Sequence, residues 1–315
     1  MKYMTFNSSC SFAGIANMLE SKGLDFQDYE VALGMELPYI VAKCGGGYMA
    51  GSMLQEKRYF DIFLKKNGYE LVENYVDRQD VIATLNEMDC AMLGIRIDER
   101  HKHAVVYKGV NTAGNTLVFI NNKHEESDEP ARLELTKDEL LQRLDDKVMV
   151  ASLKEYSGKA DSPVPFMEAS ISCLDELHCD IVRFCADFQP HESVERTRDT
   201  LFRPVLLDSV AMMELLGEKA MAENIKKLQR AYMDAAFKSG AEQVQLCRHI
   251  DMLLLERVIE GWKGLIGTGV RPHVPILGHG VRPLSHNPHQ YGTSRNRQSP
   301  PSPPWRRRKD HICTP

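Results

Sequence analysis

The first apolar stripe in the chain is Phe12, Ile15, Ala16 and Leu19, spaced i, i+3, i+4 and i+7, with Gly23 just beyond it. That period is helical and the glycine is a stop signal, so the spacing predicts a helix over about 10–22. Further helices are expected over 52–67 and 78–88. The pattern then changes. CAMLGIRI (90–97), HAVVYKGV (103–110) and NTLVFIN (115–121) are rich in β-branched residues, and NTAGN (111–115) reads as a hairpin turn between the last two. LTKDELLQRLDD (135–146) returns to helical spacing, and KVMVASL (147–153) is a closing strand. Residues 1–155 therefore read as an α+β unit, helix first and antiparallel strands after.

From 165 onward the period is helical throughout. The segments 165–188, 201–217, 223–240 and 241–262 each repeat apolar residues at helical spacing, and Gly217 and Gly240 stand where helix-ending glycines belong. Residues 165–265 are thus expected to form an all-α bundle domain. The pattern stops after Trp262. Residues 267–315 hold nine of the fifteen prolines and five of the eleven histidines, with the low-complexity run SPPSPPWRRRK at 299–309. Such a segment cannot bury enough apolar surface to offset its ordering entropy, so 266–315 is expected to be a disordered tail, native or an extension.

Charge changes this picture in one respect. The chain carries a net −5, but residues 266–315 carry eight Lys/Arg against one acid, so the body is strongly acidic. An acidic body argues against nucleic acid as a partner, because phosphate binding needs a basic surface. No apolar run is long enough to span a bilayer, and the first 25 residues lack the basic start and apolar core of a secretory signal. A cytoplasmic protein with reduced thiols is the expectation, since the eight cysteines form no CxxC pair.

The candidate chemistry is a thiol. Cys10 stands at the start of the first helix, where the helix dipole and unpaired N–H groups favour thiolate over thiol. His103 opens a strand and shares its face with Val105 and Tyr107. An imidazole there can take the thiol proton and return it to a leaving group. His101 would serve equally by position. Asn121 ends the paired strand and can fix the imidazole from its other nitrogen.

These residues carry a resemblance. C-x-x-x-x-x-A-N-x-L followed by a glycine, then HAVVYKGVNTAGNTLVFINN, then LTKDELLQRL, resembles the papain-like thiol peptidases that include the bacteriocin-leader (C39) peptidases. The resemblance implies a papain-like fold, with Cys10 as nucleophile, His103 as base and Asn121 as orienting residue. The family's usual Asp-Pro is Asn121-Asn122 here, which leaves the choice between the two amides open. LESKGLDFQDYEVALGMEL (19–37), and more faintly LFRPVLLDSVAMMELLG (201–217), resemble the butirosin-biosynthesis (BtrH-like) acyltransferases. That resemblance implies transfer of an acyl group from a carrier-protein thioester to an amine. The peptidases place an oxyanion-hole Gln before the Cys. Here Met4 stands six residues before Cys10 and no Gln precedes it, so Asn7 is the candidate amide. No cofactor or metal is implied. The expected partners are an acyl-carrier protein or a peptide, with a cationic small molecule as possible acceptor.

Other features weigh less. KCGGGYMAG (43–51) lacks both phosphate-loop patterns and reads as a mobile loop near a cleft, and Cys44 within it is a rival nucleophile without a helix start. Cys173, His178, Cys179 and Cys185 do not have zinc-site spacing and read, like Cys247 and His249, as helical-core residues. EESDEP (125–130) is a solvated turn or an acidic collar for a cationic substrate.

Overall fold

The structure is a computed structural model and describes residues 1–44, 47–97, 102–187, 203–206, 208–236 and 238–267. The tail expected from 266 begins later: Ile266 and Gly267 still belong to the last helix, with Ile266 buried, while 268–315 and the rival base His101 lie outside the described residues.

The first part is α+β. Its centre is a six-stranded, wholly antiparallel sheet in the order β3-β8-β4-β5-β6-β7. These strands are β3 (Tyr69–Asp77), β4 (Ala91–Arg96), β5 (Lys102–Asn111), β6 (Thr116–Asn121), β7 (Arg132–Leu135) and β8 (Lys147–Glu155). A separate hairpin pairs β1 (Val41–Cys44) with β2 (Gly47–Ala50). The glycine-rich stretch read as a loop thus falls largely in this hairpin.

The pleat sorts the sheet into two faces. Met92, Ala104, Val106 and Ala151 join one apolar cluster with α1 (Cys10–Glu20). Leu93, Ile95, Val105, Tyr107 and Val150 join another, covered by Val81 and Leu85 of α4 (Val81–Asn86) and by Leu140 of α5 (Lys137–Gln142). α1 forms as its spacing predicts: Phe12, Ile15, Ala16 and Leu19 are all buried, and Gly23 follows at φ +80. α2 (Asp28–Gly34), opened by a Gln27/Glu30 capping box, and α3 (Lys57–Leu64) complete this part.

The second part is helical among its described residues. It comprises α6 (Val164–Asp187), α7 (Arg203–Leu206), α8 (Ser209–Leu215), α9 (Lys219–Ala236), α10 (Gly240–Arg248) and α11 (Met252–Gly267). The single helix expected over 241–262 breaks at 249–251, where Asp251 Oδ1 accepts from Leu254 N (2.9 Å) and caps a new start. The two parts share a core. One cluster runs from Phe12 and Ile15 through Leu177 to Tyr232 and Trp262. Val41 N donates to Ser170 Oγ (2.9 Å), Tyr48 Oη to Asp180 (2.6 Å) and Trp262 Nε1 to Pro38 O (2.7 Å). The composition shift at 155–165 is therefore not a break in packing.

Candidate active site

Cys10 is the first residue of α1 and is buried. Among the described residues no side chain caps this end of the helix, and no acid stands in its first turn. The positive end of the helix dipole therefore acts on the cysteine without a neutralising neighbour on the helix. In this structure Cys10 is disulfide-bonded, whereas Cys44, Cys90, Cys173, Cys179, Cys185 and Cys247 are free thiols. This corrects the expectation of reduced thiols for Cys10. The absence of a CxxC pair says nothing about sulfurs brought together by the fold. Thiol chemistry at Cys10 begins with its reduction.

The loop leading into α1 is fixed by two buried carboxylates. Asp28 accepts from Thr5 N (2.6 Å), Thr5 Oγ1 (2.6 Å) and Ser9 Oγ (3.0 Å). Asp208 lies about two hundred positions away in sequence, before α8. It accepts from Asn7 N (2.8 Å), Asn7 Nδ2 (3.1 Å), Ser8 N (3.3 Å) and Ser52 Oγ. Burial pushes both carboxyls above the usual carboxylate range, against the pull of their donors. Asp208 holds φ +63, unusual for a residue with a side chain, and its carboxylate makes no cap bond to α8, though its carbonyl accepts from Met212 N (2.9 Å). Gln55 braces the same loop: its Nε2 donates to Ser8 O (2.5 Å) and Ser52 O (2.9 Å), and its Oε1 accepts from Ser11 Oγ (2.8 Å).

His103 is the second residue of β5, in register with Ile95. The pleat gives it the face of Ile95 and Val105, while Ala104 and Val106 face α1. Asn121, opposite Val105, shares the His103 face as a diagonal neighbour. Its amide nitrogen donates to Pro130 O (3.0 Å) and Glu129 Oε2 (3.4 Å). Asn122 turns the other way. Its Nδ2 donates to Ala104 O (2.9 Å) and its Oδ1 accepts from Asn17 Nδ2 (3.0 Å), so it ties β5 to α1. The two amides that the sequence left as alternatives thus sit on opposite faces.

α1 runs alongside β5, with Gly14 near Asn122 and Asn17 O meeting Lys108 Nζ (3.3 Å). Cys10, on α1, and His103 therefore lie on opposite faces of the sheet. A groove runs over β3, β4, β5 and β8. It is lined by Ser11 and Gln55, by Met92 and Gly94, and by Lys102 and Ala104, the residues on either side of His103. Lys102 and Arg96 (3.2 Å) both pair with Asp145. A Cβ on Gly94 would meet nothing within 4 Å, so this mid-strand glycine leaves room in the groove.

The Asn7 amide is held by Asp208. The Cys44 thiol is pushed up by burial and by Glu56, which discourages thiolate there. Burial also raises Cys173 and Cys247 to about 11 and Cys185 to about 12. Among the described residues no three His, Cys, Asp or Glu side chains converge as a metal site. The acidic turn 125–130 wraps Lys123, whose Nζ donates to Ser127 O (2.6 Å). Among the described residues no helix is long and apolar enough to cross a membrane.

Asp28, Asp208 and Gln55 were not legible as part of this site. No local spacing joins them to Cys10, and only the fold brings them to the loop. No family model matches the chain, and no curated protein is significantly similar to it.

Proposed function

We propose that the protein performs thiol-dependent acyl transfer through a covalent acyl-enzyme on reduced Cys10, on a papain-like α+β frame. The observation that carries this reading is a groove running over β3, β4, β5 and β8, whose lining takes in Ser11, Lys102 and Ala104, neighbours of Cys10 and His103, but neither of those two residues. His103, which the pleat sets on the sheet face opposite α1, would have to turn past β5 to take the thiol proton. The thiolate adds to a thioester or amide carbonyl. Collapse of the tetrahedral adduct breaks the bond to the leaving group, which receives the proton from His103. An amine or water then attacks the acyl-enzyme and regenerates the thiol. Asn121, on the His103 face with its amide nitrogen already engaged, has its carbonyl oxygen to accept from the ring and fix it.

The donor class is an acyl-carrier thioester or a peptide. The acceptor decides between acyltransferase and peptidase, and the acidic turn at 125–130 favours a cationic amine. The test is to reduce the protein, remove the reductant, add S-phenyl thioacetate and map adducts by mass spectrometry. An acetyl group on Cys10, absent from Cys10→Ser, supports the reading. A second reading, a non-catalytic peptide-binding module, is favoured by the absence of a Gln before Cys10 and by Asn121 where the peptidases place Asp; for it the reduced protein would form no such adduct.

A further inference from the structure

Ser8 Oγ is buried and has no hydrogen-bond partner among the described residues. A buried hydroxyl left unsatisfied costs free energy and calls for an explanation. The rest of the residue is tightly held. Its N–H donates to Asp208 Oδ2 (3.3 Å) and its carbonyl accepts from Gln55 Nε2 (2.5 Å). Two remote segments thus converge on one serine whose own side chain does nothing to hold it there.

The neighbours make the contrast sharp. Thr5 Oγ1 is bonded to Asp28, Asn7 Nδ2 to Asp208, Ser9 Oγ to Phe6 O and Asp28, and Ser11 Oγ to Gln55. Of these five polar side chains around Cys10, Ser8 alone is uncommitted among the described residues. It stands two residues from the nucleophile, a chain span of at most about 7 Å.

We infer that the Ser8 hydroxyl is the oxyanion donor for acyl transfer at Cys10, in place of the tethered Asn7. This rests on the reading that Cys10 is acylated. As the thiolate adds, the new C–S bond forms and the carbonyl π electrons move onto oxygen. The Ser8 O–H donates to that oxygen, and the first-turn N–H groups of α1 reinforce it electrostatically. As the adduct collapses, the electron pair returns and the bond to the leaving group breaks. Ser8 neither gains nor loses a proton.

Two reagents separate this role from simple positioning of the thiol. Acylation by p-nitrophenyl acetate develops an oxyanion, whereas alkylation by iodoacetamide is a displacement at saturated carbon and develops none. In reduced full-length Ser8→Ala, freed of reductant, the p-nitrophenolate burst should slow by about 100-fold, the cost of losing one such donor. Cys10 alkylation should stay within about twofold of wild type, and the melting temperature should hold or rise with the unsatisfied hydroxyl gone. Equal slowing of both reactions would make Ser8 a positioning residue, and slowing of neither would remove it from the chemistry; each overturns the inference. A wild-type burst that survives Cys10→Ser, or no burst at all, would sink the acyl-enzyme reading and Ser8 with it. A Cys10-dependent burst unchanged in Ser8→Ala sinks Ser8 alone.

Discussion

Replacing Gly14 with alanine tests how closely α1 lies on the sheet. On an isolated helix the change would stabilise by about 1 kcal/mol. Here the added Cβ would stand 2.3 Å from Met92 Sδ and 2.9 Å from Asn122 Nδ2. Met92 is a flexible thioether and can swing aside. Asn122 cannot move without loosening its bonds to Ala104 O (2.9 Å) and Asn17 (3.0 Å), each worth about 1 kcal/mol. Overpacking of a filled interior costs about 1–3 kcal/mol. The steric and hydrogen-bond losses outweigh the propensity gain, so Gly14→Ala should destabilise by about 1–3 kcal/mol. Urea unfolding of both proteins in the same redox state reads this as a lower midpoint at unchanged slope. A midpoint equal to or above wild type would refute the close seating of α1.

The opposite sign is expected at Gly94, where a methyl has open space: Gly94→Ala should stabilise by about 0.5–1 kcal/mol, read in the same titration. Trp262→Phe removes the donor to Pro38 O in the core shared by the two parts and should cost about 1–3 kcal/mol in a single unfolding transition; two separate transitions would contradict the shared core. Asp208 has a folded pKa raised by burial, so its stabilising contribution is fully present below the unfolded value of about 3.9 and declines as pH rises through the folded value. Asparagine does not titrate, so the stability gap between wild type and Asp208→Asn should narrow from pH 4 to pH 8; denaturant titrations showing a constant or widening gap would contradict the buried-carboxylate assignment.

The parts of the fold that were legible are those whose own residues carry the signal. α1, β4, β5, β6, β8 and α6 appear within a few residues of expectation because each presents a full apolar face to a core. β3 did not announce itself: YELVENYVD buries little beyond Leu71, because it is an edge strand with a single partner. β7 is likewise a short edge strand, and the β1–β2 hairpin hid behind its glycines. The site divides in the same way. Cys10 is legible because helix start and cysteine are adjacent in sequence. The faces of Asn121 and Asn122 needed the register of β5 with β6, and Asp208 needed a contact across two hundred residues.

The central claim, an activated thiol at Cys10 paired with His103, is tested most directly by site-mapped alkylation of the reduced protein with limiting iodoacetamide at mildly acidic pH. Burial holds Cys44, Cys173, Cys185 and Cys247 above the ordinary thiol range. The exposed Cys179 is then the comparator. The account predicts that Cys10 is labelled first and that His103→Ala removes the preference. Labelling of Cys10 no faster than Cys179, or a preference that survives in His103→Ala, would contradict it.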